Sequence, residues 1–127
     1  MKYIVETSKS VEQVVTDLQA AVLRYKFGVL HIHNLQETLK KKGVDFANAC
    51  QILEICNPQN AKDVLMEDMD LNLALPCRVS VYSEKGKTKI GMIRPTVMLK
   101  FLSDSPKLEK TAKEVEVAII AMIEEAK

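Results

Sequence analysis

The sequence lacks any apolar run long enough to span a membrane. A transmembrane helix needs about 20 consecutive apolar residues, whereas the longest apolar stretches here, such as residues 118–123, are far shorter. No apolar segment of an export signal follows Lys2 at the start of the chain. We therefore expect neither membrane insertion nor export.

Cysteine is also scarce. The three cysteines are an odd number and none is spaced as C-x-x-C, so a disulfide framework is not expected: Cys50, Cys56 and Cys77. Free thiols fit a reducing compartment, and we predict a cytoplasmic protein.

An excess of charge of either sign is absent. The chain has 18 Lys and Arg against 17 Asp and Glu, a formal net charge of +1. General affinity for nucleic acid therefore does not follow from the charge, and no nucleic-acid partner is expected. With 47% hydrophobic and 28% charged residues, the composition is that of a globular chain. No repeat or linker divides it, so residues 1–127 are expected to form a single domain.

Recognisable catalytic motifs are absent as well. The four glycines are scattered and form no phosphate-binding loop. There is no serine elbow, no H-E-x-x-H and no carboxylate pair at an interpretable spacing. Neither an enzymatic reaction nor a cofactor class can be predicted from motifs.

Hydrophobic periodicity, in contrast, is clear and indicates an α+β domain. Ser10 and Gln13 have the spacing of a capping box at the start of a helix, which is predicted to end at Gly28 in a left-handed conformation. Lys85-Gly86 indicates a tight hairpin. Short helical inserts are expected after Asn34, Asn57 and Pro95, and the strands are predicted at residues 3–7, 29–33, 49–56, 77–83 and 87–93.

The last helix is predicted from Pro106 almost to Lys127. Its core-facing stripe repeats at intervals of four and three residues, and further apolar side chains widen the surface beside it: Val117, Ile120 and Ala121. Such a helix is either deeply buried or packed against another subunit. This is one reason to predict a homodimer.

His31 and His33 are the only histidines and lie two residues apart on a predicted strand. Both side chains are therefore expected on one face of the sheet, where they could chelate a metal or contact an anion. The alternative is two solvent-facing polar side chains opposite Leu30 and Ile32. Two ligands do not complete a zinc site, and the spacing identifies no third.

Cys56 and Asn57 fall at a strand-to-helix junction. Backbone N–H groups of the helix start could bind an anion there and lower the pKa of the thiol. The alternative is structural, in which Asn57 caps the helix, Pro58 starts it and Cys56 fills the core.

Cys77 and Arg78 open the fourth strand. Alternation places Cys77 inward and Arg78 on the other face with Ser80 and Tyr82, where a guanidinium could bind a carboxylate or phosphate. The alternative is the solvated face of a half-buried strand.

If the third and fourth strands are antiparallel neighbours, the end of one lies beside the start of the other. We therefore predict that four residues form one patch suited to a small ligand: Cys56, Asn57, Cys77 and Arg78.

Several of these motifs occur in an order that resembles the bacterial and archaeal family named domain of unknown function 302. They are Phe27-Gly28-Val29-Leu30, residues 39–43, Ile55-Cys56-Asn57-Pro58 with Ala61, residues 75–79, and Pro95 with Met98. The resemblance covers essentially the whole chain. It implies a TATA-binding-protein-like fold of strand, helix, four antiparallel strands and helix, often as a homodimer. It implies no DNA binding and no particular activity.

The resemblance singles out the matching positions Cys56, Asn57, Pro58, Pro76 and Cys77. Family members commonly carry an acidic residue where Ile32 stands, so the His-Ile-His segment is local to this protein. Together these observations predict a small homodimeric module that binds either a small ligand, for which an anion is one candidate, or a protein partner. The alternative is a thiol-based redox or metal-dependent enzyme that uses Cys56 and Cys77.

Overall fold

A computed structural model describes all residues of the chain, 1–127. The five strands are β1 (Lys2–Thr7), β2 (Gly28–Asn34), β3 (Cys50–Cys56), β4 (Cys77–Glu84) and β5 (Lys87–Ile93). The helices are α1 (Val11–Arg24), α2 (Leu35–Lys41), α3 (Pro58–Glu67), α4 (Pro95–Lys100) and α5 (Pro106–Ala126), with a 3₁₀ helix at Met69–Ala74. The predicted α+β class and the order of its elements are confirmed.

The strands form one antiparallel sheet in the order β1-β5-β4-β3-β2. The turn between β4 and β5 has φ values of 52° at Lys85 and 77° at Gly86. Positive φ at both central residues is the requirement of the tight hairpin turn that the sequence predicted. Strands β1 and β2 form the two edges of the sheet.

Helix α1 begins as predicted and ends earlier than predicted. The Ser10 hydroxyl accepts a hydrogen bond from the Gln13 N–H at 3.1 Å. At the other end Lys26, with φ of 63°, takes the left-handed conformation, and the Phe27 N–H donates to the Val22 carbonyl at 3.1 Å. The prediction that Gly28 ends this helix is therefore wrong. The capping geometry requires a left-handed residue directly after the helix, and this position falls two residues before the glycine, which instead begins β2.

Helices α1 and α5 pack against each other and cover one face of the sheet. The main core between these layers contains fully buried side chains from helices and strands, among them Leu18, Leu53, Ile55, Val79, Val81, Ile90, Ile119 and Met122. Of the side chains predicted to widen the apolar surface of the last helix, Ile120 packs against this core, while Val117 stays 61% exposed.

The opposite face of the sheet, the open face, carries side chains that alternate with those of the core. On it Ile4 is 42% and Ile93 is 51% exposed. A second, smaller core lies at one end of the molecule, where α3, the 3₁₀ helix, α4 and the start of α5 meet: Val64, Leu71, Leu99, Leu108 and Ala112. None of the helices has both the length and the apolar character needed to cross a membrane.

Candidate functional site

Two cavities lie on either side of the segment that leads into β4. One, the thiol cavity, has a volume of about 240 Å³ and contains both Cys56 and Cys77 in its lining. The other, the open-face groove, has a volume of about 530 Å³ and runs over the open face of the sheet. Leu75 and Pro76 line both cavities.

The thiol cavity lies between the two hydrophobic cores. Its walls combine members of the main core, such as Ile55, with members of the smaller core, such as Val64. Strands β3 and β4 are antiparallel neighbours with Ile55 opposite Cys77, so the end of one strand adjoins the start of the other. This pairing brings Cys56, Asn57 and Cys77 to one cavity, as the sequence led us to expect.

Both thiols of the cavity are held in the protonated form. Burial raises the pKa of Cys77 to about 11, with a further contribution from the neighbouring Cys56, and burial also raises the pKa of Cys56. These shifts are opposite to the lowering predicted for a thiol beside a helix start, and their main cause is the loss of solvation on burial. All three cysteines of the chain are free.

Both ends of the Asn57 side-chain amide make hydrogen bonds within the chain. Its Oδ1 accepts from the Asn60 N–H at 3.0 Å, and its Nδ2 donates to the Lys26 carbonyl at 3.4 Å. The first bond caps α3, and the second ties the start of α3 to the end of α1. The geometry of Asn57 is therefore the capping geometry that was the structural alternative.

Arg78 lies apart from the other three residues of the predicted patch. It lines the open-face groove together with Ser80 and Tyr82, on the face that strand alternation assigns to it. The structure thus brings Cys56, Asn57 and Cys77 together and places Arg78 across the sheet from them, because consecutive residues of a strand point to opposite faces.

The open-face groove combines apolar side chains with two cations. Ile4, Ile52 and Leu73 contribute to its lining, as do Lys2 and Arg78. Neither of these two cations takes part in any of the salt bridges of the chain. The Glu54 carboxylate, which contacts His33, also lines the groove, so the groove offers two cations and one anion beside aliphatic surface.

His31 and His33 share one face of β2, as predicted, and their ring centroids are 4.4 Å apart. The His33 Nε2 donates to Glu54 Oε1 at 2.6 Å. No group of three or more His, Cys, Asp or Glu side chains is arranged to hold a metal ion. A metal role for the two histidines stays a prediction, and the remaining ligands would have to come from outside the chain or from solvent.

Glu54 is the residue that sequence reasoning overlooked. It lies on β3 opposite both His31 of β2 and Arg78 of β4. A carboxylate in a strand whose other residues are mainly apolar was a signal available in the sequence, but its partners depend on the strand order. No element is predicted from the sequence for the 3₁₀ helix, although its residues Leu73 and Ala74 line the groove.

Comparison with known proteins agrees with this architecture. The sequence pattern of the family described as Domain of unknown function DUF302 matches residues 3–126. Among solved structures, the chain is similar to the crystal structure of the uncharacterized conserved protein DUF302 from Bacillus stearothermophilus, with a TM-score of 0.93 and 35% sequence identity over 99% of this chain and 98% of that chain. No curated protein matches the sequence.

Proposed function

This chain belongs to the DUF302 family, whose description names no activity, and we propose that it is a binding module that holds a small, uncharged and mainly apolar molecule in the thiol cavity. The observation that carries this proposal is the cavity itself, which lies between two hydrophobic cores and is lined mainly by apolar side chains. Its volume of about 240 Å³ is just below the range of about 300–1,000 Å³ that is usual for ligand sites. The ligand should accordingly be smaller than a typical drug.

The charge of the lining defines the ligand further. None of the residues that line the thiol cavity is Asp, Glu, Lys, Arg or His. A charged group placed there would lose its hydration without gaining a partner, which is strongly unfavourable. We therefore propose an uncharged ligand for this cavity and not the anion considered from the sequence.

The polar groups that remain free supply a point of recognition. The Asn60 side chain lines the cavity, and in contrast to Asn57 its amide is not used as the cap of α3. A ligand with one hydrogen-bonding group and an apolar body suits this arrangement.

A thiol-based redox enzyme is the second candidate, and the observation that favours it is the presence of two free thiols in one cavity. The raised pKa values of Cys56 and Cys77 argue against it, because the thiolate is the nucleophile in thiol chemistry. A metal-dependent enzyme that uses these cysteines would need further ligands from outside the chain.

The homodimer and the cytoplasmic location also belong to this proposal. Exposed apolar side chains such as Val117 support an interface with a second copy or another protein. The free cysteines support a reducing compartment. Sedimentation should give about twice the 14.3 kDa of one chain, and a monomer at micromolar concentration would contradict the dimer.

The ligand proposal can be tested by NMR titration with indole, an uncharged probe with one N–H donor. We expect saturable shifts for amides around the thiol cavity, and no such shifts there with indole-3-carboxylate, which carries a charge. Ala61 lines the cavity, and Ala61→Leu should fill it and abolish the shifts. The matched control is Ala20→Leu, at an exposed position of α1.

Thiol modification of the same protein distinguishes the binding proposal from the redox alternative. Under the binding proposal, iodoacetamide at neutral pH modifies Cys56 and Cys77 rapidly only after denaturation. Rapid modification of either thiol in the native protein, or indole shifts that survive in Ala61→Leu, would contradict the proposal.

A further inference from the structure

The charges on the open face are paired in an unexpected way. Glu54 and Arg78 are directly opposite each other on adjacent strands, an arrangement in which opposite charges usually attract. They nevertheless form no salt bridge, since Glu54 Oε1 accepts instead from His33 Nε2 at 2.6 Å. The histidine therefore engages the carboxylate that would otherwise neutralise Arg78.

A second cation lies at the same end of the open face. Lys2 on β1 is opposite Ile93 on β5. Strands β4 and β5 pair as far as Ser80 and Gly91, and continuing this register by two residues places Arg78 on the other side of Ile93. Neighbouring strands are about 4.8 Å apart, so the two cationic residues are separated by about 10 Å at the backbone. Both line the open-face groove.

The rest of the groove is suited to an aliphatic chain. Its lining includes Ile4, Ile52, Ile93, Leu73 and Met98, and the hydroxyl-bearing Ser80 and Tyr82 follow Arg78 along the same face of β4. A guanidinium binds a carboxylate through two parallel hydrogen bonds. Burial of a hydrocarbon chain against the isoleucines would add the apolar contribution.

From these observations we propose that the open-face groove binds an aliphatic monocarboxylate, with Arg78 pairing with the carboxylate and His33 acting as a positioning residue that keeps Glu54 away from Arg78. This site is separate from the thiol cavity, and it takes a charged ligand where the thiol cavity takes an uncharged one. Lys2 adds long-range attraction for the same anion.

Titration with sodium decanoate below its micelle concentration, followed by NMR and calorimetry, tests the proposal on the full chain. We expect saturable binding with shifts at Ser80, Tyr82 and Ile93, and much weaker binding of decanol, which has the same chain without the charge. Arg78→Met keeps most of the aliphatic stem and should weaken decanoate binding by at least about tenfold. The matched control is Arg24→Met, which removes an exposed arginine of α1 and should leave the affinity unchanged.

The positioning role of His33 is tested separately, by decanoate binding to variants of His33 and Glu54. His33→Ala should weaken decanoate binding because Glu54 becomes free to pair with Arg78. Adding Glu54→Gln to that variant should restore the affinity, since the competing charge is then absent. Failure of this rescue would overturn the role of His33.

Other results would overturn the site as a whole. They are the absence of saturable decanoate binding, wild-type affinity in Arg78→Met, and equal binding of decanol and decanoate. Protection of the open face by a second copy of the chain, seen as amide exchange at Ile93 that slows as the protein concentration rises, would also overturn it. None of these results bears on the thiol cavity, so the two proposals fail independently.

Discussion

The thiol cavity and the open-face groove draw on the same two strands yet differ in charge and in solvation. Strand β4 contributes Cys77 to the cavity and Arg78 to the groove, and β3 contributes Ile55 to the cavity and Glu54 to the groove. A step of one residue along a strand moves a side chain from a desolvated site without charges to a solvated site with unpaired charges. The two faces of a strand can therefore belong to two sites, and neighbours in sequence need not act together.

The polar groups of the two regions are also used differently. In the thiol cavity both ends of the Asn57 side-chain amide make hydrogen bonds within the chain, and the thiols remain protonated. In the groove Glu54 accepts a hydrogen bond from His33, and Arg78 forms no salt bridge. Asn57 thus serves the fold in the first region, whereas the second region carries a guanidinium, that of Arg78, which forms no salt bridge.

The largest expected effect compares two adjacent residues of β3 that point to opposite faces. Leu53 is fully buried in the main core, whereas Ile52 is only partly buried on the open face. Leu53→Ala should lower the free energy of unfolding by about 2–5 kcal/mol, and Ile52→Ala by about 1 kcal/mol or less. Urea unfolding followed by circular dichroism measures both. Equal losses would mean that the open face is covered in solution.

The next largest expected effect is the change of stability with pH that is caused by the buried Cys77 thiol. Below pH 9, Cys77 is protonated in both the folded and the unfolded chain, so its contribution to stability is constant. Above pH 9 the unfolded chain loses this proton first, because the folded-state pKa is raised from 9.0 to about 11. Stability should therefore fall as the pH rises, by about 2 kcal/mol at pH 11 from this group alone.

Unfolding of Cys77→Ala over the same pH range provides the reference, since the other titrating groups are common to both proteins. The difference between the two proteins should change between pH 9 and pH 11 and stay flat from pH 6 to pH 8. A flat difference throughout would show that Cys77 is better solvated than its place in the cavity wall implies.

A smaller effect tests whether Asn57 serves the fold. Asn57→Ala removes the cap of α3 and should cost about 1 kcal/mol, whereas Asn57→Ser restores a capping oxygen and should recover most of this. The indole titration serves as the second measurement. Loss of indole binding in Asn57→Ala without any loss of stability would reverse the assignment and give Asn57 a ligand-binding role.

The smallest expected effect is that of Arg78 on stability. Arg78→Met removes a charge with no ionic partner, and the free energy of unfolding should change by no more than about 0.5 kcal/mol. A loss well above this value would show that Arg78 supports the fold, and the contrast between the two regions would disappear.

The elements that were predictable from the sequence are those set by local patterns. The capping box at Ser10, the apolar periodicity of α1 and α5, and the Lys85-Gly86 turn each depend on residues close together in the chain. The left-handed residue after α1 was misplaced because glycine is the usual choice there, and the structure uses Lys26. The sequence therefore predicts a left-handed residue after the helix correctly, but it assigns this conformation to Gly28, whereas the structure has it at Lys26.

The candidate sites depend on long-range pairing, and this limited what could be predicted. The meeting of Cys56 with Cys77 followed from the assumption that β3 and β4 are antiparallel neighbours, which they are. The contact of His33 with Glu54 spans 21 residues and two strands, and no local pattern indicates it. The alternation of side chains along β4 already predicts that Arg78 and Cys77 lie on opposite faces of the sheet. This alternation was a better predictor of their positions than their closeness in sequence.

The wall formed by Leu75 and Pro76 has a thermodynamic consequence. Because both residues line the thiol cavity and the open-face groove, a displacement of this segment changes the shape of both at once. If occupation of one cavity shifts the segment, the free energy of coupling is the same whichever ligand binds first. Indole and decanoate would then alter each other's affinity by one common factor, and a rigid wall would make that factor equal to one.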